Sequence, residues 1–561
     1  MGTPVRTNIE RKKTMYLEKI IGNQYRNWKS GEWIFISAPT GTGKTTFVLN
    51  QLVPEAQNAG KEVLFLSNRT ILRDQVKNIV ARRQGIDADM RFLKEVEEFD
   101  GITLMSYQKI QTLMENTSLY SWFDVKRYMY VIFDEAHYIL EDSTFNAKVI
   151  YIEKFIKGCC CTKIFMSATI QEVRSYILEN YLQSKIIEAS EQQVTPYITS
   201  IPLKTYTSSI GLYSYLWMID VPQYTRNAEI KYFDSYNQIV DKINKSGTKW
   251  IIFSSNKGKV GEWKNRINRS YEIVSADDKE KSIITEIISS EKFSTEVLIT
   301  TKLLDNGVNF KDENLKNLVI DTISEVEFVQ MVGRKRLKEG EKITIYIPKK
   351  TKMFFIGYDN LHFSKILKVL ESNIQRRTFV QEVLDDSEMY DIVRRFFIYS
   401  SKKQDVGEDA EGGMVLNIAG LYKVRRLNAF VKRMEEKLQT DKYAFVKAQL
   451  QWLGVDESFD QENDLTLENR KTILDALKNY LTQLEGEELD KNLQAEFRKK
   501  ITEFMHNSEY EFKAGRVAGK SAINEFFKMM QINYVVDVRK AAKKGDVTKW
   551  FIRRKKDGLV G

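Results

Sequence analysis

The chain is 561 residues long and 42% hydrophobic, with seven prolines and a formal net charge of +10. That length suits roughly three to four domains with sizeable cores, and no stretch reaches the roughly 18 uncharged apolar residues of a membrane span. Three consecutive cysteines, Cys159-Cys160-Cys161, cannot form a disulfide framework. With His137, His362 and His506 as the only histidines, they read as small residues entering a buried strand in a reducing compartment rather than as a zinc site.

Met1 to Thr14 is polar and basic without the apolar core of a signal peptide, so a soluble, cytoplasmic chain is expected. Residues 15–30 are predicted helical, because Tyr16, Leu17, Ile20, Ile21, Tyr25 and Trp28 recur at helical spacing; such aromatics are more often core than ligand. Ile34-Phe35-Ile36 reads as a buried strand. The turn from Ala38 through Gly41, Gly43 and Lys44 then leads into a helix at Thr45 and Thr46, with Ala38 standing where the strict phosphate-loop pattern opens with glycine. Such a turn cradles an anion, since its backbone N–H groups and the helix N-terminus converge on one point. Lys44 would reach the β- and γ-phosphates of a nucleotide, and the Thr45 hydroxyl would ligate Mg²⁺.

Apolar runs at 61–67, 101–105, 128–133 and 163–166 follow, separated by longer amphipathic stretches such as 68–83. This rhythm predicts a parallel sheet with helices on both faces, whose ligands gather at the carboxyl ends of the strands. Polar clusters sit at those ends: Ser67-Asn68-Arg69-Thr70, Ser106-Tyr107-Gln108, Asp134-Glu135-Ala136-His137 and Ser167-Ala168-Thr169. Asp134 is placed to hold Mg²⁺ through water, with Glu135 as the base for an attacking water. Paired carboxylates also suit the first turn of a helix; the phosphate loop about 90 residues upstream favours the metal reading.

Ala38-Pro39-Thr40-Gly41-Thr42-Gly43-Lys44-Thr45, Asp134-Glu135-Ala136-His137 and Ser167-Ala168-Thr169 resemble, in order and spacing, motifs I, II and III of superfamily 2 helicases with a DEAH box. The resemblance implies a second RecA-like domain. After a poorly patterned connector at 190–235, strands are predicted at 250–255, 297–301, 318–321 and 343–346. Phe253-Ser254-Ser255-Asn256 resembles motif IV, the segment from Thr300 to Asn309 motif V, and Gln330-Met331-Val332-Gly333-Arg334-Lys335-Arg336 motif VI. Motif VI carries arginine fingers, which stabilise charge on the transferred phosphoryl group. The family places its second arginine three residues after the first; here that position is Leu337, so Arg334 and Arg336 both stand as candidates. Motif V has Asn309 where many relatives have Asp, a departure expected to touch coupling or strand contact more than ATP binding.

The resemblance covers roughly residues 15–350 and implies further roles. Gln24 would contact adenine, Gln330 would help position the water, and His137, Ser167 and Thr169 would couple the ATP site to a bound strand. Asn68, Arg69, Thr70, Ser106, Tyr107, Gln108, Ser254, Asn256 and Thr300 would touch the backbone of that strand.

Beyond 350, helices are predicted at 360–400 and 416–450, with a flexible polar loop between them near 400–415 and a further helix at 467–484. Residues 491–561 hold 17 Lys and Arg against 8 Asp and Glu, nearly all of the net excess. Their order of helix, strand, basic turn and strand suggests a small winged-helix-like unit, with Arg553 and Arg554 placed to meet phosphates. A solvated helical appendage would share that composition.

The expected architecture is α/β: two tandem RecA-like parallel-sheet domains (1–190 and 191–350), a mostly helical accessory domain (351–485) and a small basic α+β module (486–561). The expected function is an ATP- and Mg²⁺-dependent helicase or translocase without a membrane role. Its partner would be nucleic acid, with single-stranded or forked DNA favoured and protein partners possible through 351–561. A nucleic-acid-stimulated ATPase that does not unwind and an RNA helicase are the alternatives.

Overall fold

Alternation of side chains along each strand gives the first sheet two buried faces. Its nine strands are β1 (Trp33–Ser37), β2 (Glu62–Ser67), β3 (Glu98–Phe99), β4 (Ile102–Ser106), β5 (Tyr128–Asp134), β6 (Thr162–Ser167), β7 (Gln192–Thr195), β8 (Ile198–Leu203) and β9 (Ser214–Asp220), in the order β3-β4-β2-β5-β6-β1-β9-β8-β7. Ile34, Ile36, Tyr130 and Ile132 enter one core, while Phe35, Val131, Phe133 and Phe165 enter the other. Phe165 stacks between Phe35 and Phe133 with ring centroids 5.1 and 4.6 Å away. Burial on both faces is what a parallel sheet requires, and β4, β2, β5, β6, β1 and β9 are parallel to their neighbours in that series.

The structure is a computed structural model. It describes residues 15–68, 70–87, 90–116, 123–183, 186, 191–203, 214–221, 228–254, 266–275, 282–301, 308–338, 340–373, 387–400, 413–455, 459–507, 517–539 and 549–555. Contacts divide the chain into two units, 1–230 with 240–459 and 231–239 with 460–561.

Two expectations for the first lobe change. The connector after residue 190 is not separate, because β9 lies parallel beside β1 while β8 and β7 extend the sheet antiparallel, so the first lobe runs to about residue 221. Glu32, fully buried just before β1, fixes this addition by accepting from Tyr215 N and Trp217 Nε1. The helix predicted over 15–30 is broken: α1 (Leu17–Ile21) ends at Gly22, whose φ of +52° suits glycine, and only a short turn follows at Gln24–Asn27. Leu17, Ile20, Ile21, Tyr25 and Trp28 are buried, but Tyr16 is 54% exposed.

After the phosphate loop, α2 (Lys44–Phe47) continues as a helix to Asn58 through a widened turn at Val48–Leu52. That turn precedes Pro54, which has no N–H to donate to the turn before it. Next come α3 (Thr70–Arg83) after β2, α4 (Tyr138–Glu141) after β5 and α5 (Gln171–Ile177) after β6. Cys159 and Cys161 are buried ahead of β6, and Cys160 is exposed.

The second sheet has the order β10-β15-β14-β11-β13-β12. Its strands are β10 (Ala228–Phe233), β11 (Lys249–Ser254), β12 (Tyr271–Val274), β13 (Val297–Thr300), β14 (Leu315–Asp321) and β15 (Ile343–Pro348), and β11 to β15 pair in parallel. Helix α6 (Glu325–Arg334), capped by Ser324 accepting from Glu327 N, carries motif VI. Helices α7 (Lys352–His362), α8 (Ile418–Lys437) and α9 (Ala444–Trp452) form the accessory layer. Where helix was predicted through residue 400, β16 (Phe397–Ser400) and β17 (Gly413–Leu416) instead pair as an antiparallel ribbon. Most of the expected flexible loop between them, 401–412, lies outside the described residues.

In the second unit, α10 (Leu465–Gln483), β18 (Glu488–Leu489), α11 (Lys491–Asn507), α12 (Lys520–Met529), β19 (Tyr534–Arg539) and β20 (Lys549–Arg554) surround a core that includes Leu477, Phe497, Ile523, Phe526, Phe527 and Ile552. The sheet order is β18-β20-β19, with β20 antiparallel to both neighbours. This is a helix–strand–helix–helix–strand–strand succession. Its first helix starts well before residue 486, the boundary expected from charge alone. Among the described residues no helix is long and apolar enough to cross a membrane.

Candidate nucleotide-hydrolysis site

The phosphate loop bends at two glycines in the left-handed region, Gly41 (φ +88°) and Gly43 (φ +85°), where a side chain would be strained. Thr42 Oγ1 donates to Pro39 O at 2.7 Å, and Lys44 Nζ rests on Ala38 O at 3.0 Å. Above the loop lies a cavity of about 390 Å³. Gly41, Gly43, Lys44, Thr45 and Thr46 line it from the loop, Asp134, Glu135 and His137 from the end of β5, and Asn309, Arg334 and Arg336 from the second lobe. Ala38 lies beneath, fully buried.

Gln24 is not among the lining residues; its amide oxygen accepts from Asn27 Nδ2 at 2.9 Å. Tyr16 lines the cavity instead, packed near Gly43. Helical spacing groups Tyr16 with the buried Leu17 and Ile20, so the pattern alone gave no signal for its exposed position.

Asp134 is 4% exposed. Burial, reinforced by the Glu135 carboxylate, pushes its carboxyl up to about 7 against the opposing pull of Lys44. Burial also raises Glu135, but Lys44, His137, Arg334 and Arg336 outweigh it and hold that carboxyl below its usual value. Glu135 therefore stays a carboxylate, the form a general base needs. Its backbone is left-handed (φ +49°), an uncommon state for a residue with a side chain and one that clusters at functional sites. A buried carboxylate and the Thr45 hydroxyl on one cavity make an all-oxygen donor set, which suits Mg²⁺, and residues 41–45 offer an anion cradle of the kind a nucleotide requires.

Behind the carboxylates, His137 joins the two lobes. Its Nδ1 lies 2.9 Å from Ser167 Oγ and 3.4 Å from a Glu135 oxygen, and its Nε2 lies 2.8 Å from Gln330 Nε2. With the Gln330 amide donating to Nε2, the ring proton sits on Nδ1 and points toward Ser167 and Glu135. Ser167 Oγ also accepts from Thr169 N at 3.1 Å. The three residues expected to couple the sites are thus brought together. Gln330, expected to position water, contacts His137 and does not line the cavity.

Arg334, 6% exposed, closes the last turn of α6. Arg336 is held by Asn309 Oδ1 accepting from its Nε at 2.8 Å, so the departure in motif V bears directly on motif VI. Both arginines reach the cavity. Gly333 is pressed against the phosphate loop, where a Cβ would lie 2.8 Å from Thr40 Oγ1.

The residues expected to touch a nucleic-acid strand fare differently. Tyr107 is fully buried, stacked on Tyr138 at 4.8 Å, and its hydroxyl donates to Asp134 O at 2.9 Å, so it supports motif II from below. Ser254 and Thr300 are buried at the ends of β11 and β13 and present no surface to a strand. Ser106 caps the next helix by accepting from Lys109 N. Gln108 donates to Tyr138 Oη at 3.1 Å and lies 3.5 Å from Asn68 Oδ1. Arg69, the Thr70 side chain and Asn256 lie outside the described residues. In the second unit Arg553 is paired with Asp537, and Arg554 with Glu485 at 2.9 Å.

Two lobes built on parallel sheets thus bring a glycine-bent loop, a buried pair of carboxylates and two arginines to one cavity. Residues 10–172, which include the phosphate loop, Asp134-Glu135-Ala136-His137 and Ser167-Ala168-Thr169, match the family described as "Type III restriction enzyme, res subunit". Among solved structures the chain is similar to Saccharomyces cerevisiae Dbp5 bound to RNA and ADP BeF3, with 15% identity over 62% of this chain and 87% of that one and a TM-score of 0.40. It is also similar to Mycobacterium smegmatis helicase Lhr bound to ssDNA and AMP-PNP (15%, 58% and 45%, TM-score 0.38) and to the Escherichia coli DExH-box NTPase HrpB (11%, 61% and 42%, TM-score 0.38). No curated protein matches the chain.

Proposed function

We propose that the protein is an ATP-driven motor of the DEAH-box kind that moves along or unwinds nucleic acid, with DNA as the favoured substrate. The observation that carries this reading is the convergence of Lys44, Asp134 and Glu135 from one lobe and Arg334 and Arg336 from the other on a single cavity. A site completed by two lobes ties hydrolysis to their relative movement. Likeness to a restriction-enzyme subunit favours DNA over RNA.

Thr45 and Asp134 would hold Mg²⁺, which neutralises phosphate charge when bound. Lys44 leaves the Ala38 carbonyl for the β- and γ-phosphates. Glu135 takes a proton from the attacking water while His137, held by Ser167 and Gln330, fixes its carboxylate. Arg334 and Arg336 place guanidinium charge at the γ-phosphoryl group, and loss of that group after hydrolysis removes what bridges the lobes.

The test is ATP hydrolysis by wild type and Glu135→Gln with no nucleic acid, single-stranded DNA, duplex DNA and single-stranded RNA, followed by strand-separation assays. Strong stimulation by DNA, abolished in Glu135→Gln, is expected. Stimulation by RNA alone makes the protein an RNA motor, and stimulation without unwinding makes it a translocase or clamp. No stimulation by any nucleic acid leaves a partner-driven switch in its place.

A further inference from the structure

Helix α8 belongs to the accessory layer, yet its N-terminal half is docked on the first lobe. Asn417 caps it by accepting from Gly420 N and donates its own amide to Ser143 O at 2.9 Å. Ala419 is fully buried within the first lobe's core. Gly420 leaves no room for a side chain: a Cβ there would lie 2.6 Å from Ser143 O. The Tyr422 ring meets Tyr176 at 4.9 Å. Lys423, with 4% of its side chain exposed, reaches Glu141 and Glu172, each at 2.6 Å.

The other half of α8 packs elsewhere. Val424, Val431 and Met434 share a core with Phe355 of α7, and Asn428 donates to Asp359 of the same helix. Helix α7 follows β15 directly, and Lys350 at its root pairs with buried Asp321 at the end of β14. Phe430 of α8 meets Trp452 at 5.6 Å, and that indole meets Phe328 of the motif VI helix at 5.7 Å. This half of α8 is therefore carried by the second lobe.

The two carboxylates at Lys423 are placed with meaning for hydrolysis. Glu141 ends the short helix that begins directly after Asp134-Glu135-Ala136-His137, and Glu172 lies in the first turn after Ser167-Ala168-Thr169. A chain of hydrogen bonds also runs from Gln108 through Tyr138 and Asp142 to Asn146, whose carbonyl lies 3.5 Å from the Asn417 amide. Helix α8 thus touches the turns behind motifs II and III and the network that leads to the candidate strand contacts.

We propose that α8 is a strut through which the second lobe and the accessory helices hold the catalytic turns of the first lobe in place, with Lys423 as a positioning residue for ATP hydrolysis. The proposal rests on the ATPase reading above. An ammonium buried between two carboxylates fixes their positions, because its removal leaves like charges facing each other in a poorly solvated site. Lys423 does not line the nucleotide cavity, so its loss changes turnover rather than ATP binding.

The experiment measures kcat and KM for ATP, with and without single-stranded DNA, for wild type, Lys423→Met and Lys423→Arg. Lys423→Met is expected to lower the DNA-stimulated kcat by about tenfold or more with KM within about twofold, the pattern of an interaction that matters in the transition state alone. Lys423→Arg, which keeps the charge, is expected to recover most of that loss. An unchanged kcat in Lys423→Met, or a loss confined to KM, overturns the strut. If Lys423→Met does not fold, Glu172→Gln, which keeps the pair with Glu141, is read the same way. A wild type that no nucleic acid stimulates sinks the motor reading, whereas a stimulated wild type matched by Lys423→Met sinks the strut alone.

Discussion

Positive charge is used in opposite ways in the nucleotide cleft and in the C-terminal unit. In the cleft, Lys44, Arg334 and Arg336 come from separate elements and converge on one cavity that also holds Asp134 and Glu135. In the C-terminal unit, Arg553 is paired with Asp537, Arg554 with Glu485, Lys549 with Glu488 and Lys500 with Glu503. Lys540, Lys543, Lys544 and Lys556 lie outside the described residues. A count of lysines and arginines sets the long-range field, but convergence on a cavity is what marks a site, and exposed pairs contribute little energy.

The sharpest way to test that contrast is to remove one cleft residue and leave every charge pair outside it intact. Glu135→Gln is expected to lower ATP turnover by about a thousandfold or more, as loss of a general base does, while nucleotide binding persists. Turnover within tenfold of wild type would remove the convergence argument. Gly333→Ala comes next. The added methyl meets Thr40 Oγ1 across the lobe junction, yet within the last turn of α6 alanine is still favoured over glycine, by up to about 0.5 kcal/mol. Thermal stability should therefore hold or rise while kcat falls, on the order of tenfold, and Thr40→Ala in the same chain should restore part of the loss. A fall in stability alongside activity would mean that α6 itself is disturbed.

How much could be read from the sequence follows the same division. That Lys44, Thr45, Asp134 and Glu135 share one cavity was legible, because the pattern that groups them keeps particular residue types on contiguous turns at strand ends. Tyr107, Ser254 and Thr300, expected as strand contacts, are buried instead, because polar residues at strand ends have a second use: the Tyr107 hydroxyl satisfies the Asp134 carbonyl, and the Thr300 hydroxyl bonds to Thr301 O. The pairing of β9 with β1 and the docking of α8 depend on partners more than 100 residues apart, which no local periodicity encodes. Asn309 lies between the two cases. It was visible as a departure from a motif, but its bond to Arg336 was not. Asn309→Ala is expected to reduce kcat about tenfold by freeing that guanidinium, with little change in KM; an equal change in both would place Asn309 in ATP binding instead.

The smallest effect is expected at Arg554. Its guanidinium lies against Glu485 and Tyr534 Oη, so the pair together carries no net charge toward solvent. Replacing both partners, Arg554→Ala with Glu485→Ala, should leave single-stranded DNA affinity of the full chain within about twofold. It should also leave the slope of log affinity against log salt unchanged, because each phosphate contact to a single strand contributes about 0.7 to that slope. A slope shallower by that amount would show that Arg554 gives up Glu485 for a phosphate on binding. The second unit would then hold its cations paired only until a strand arrives, and the contrast with the cleft would describe the chain without nucleic acid alone.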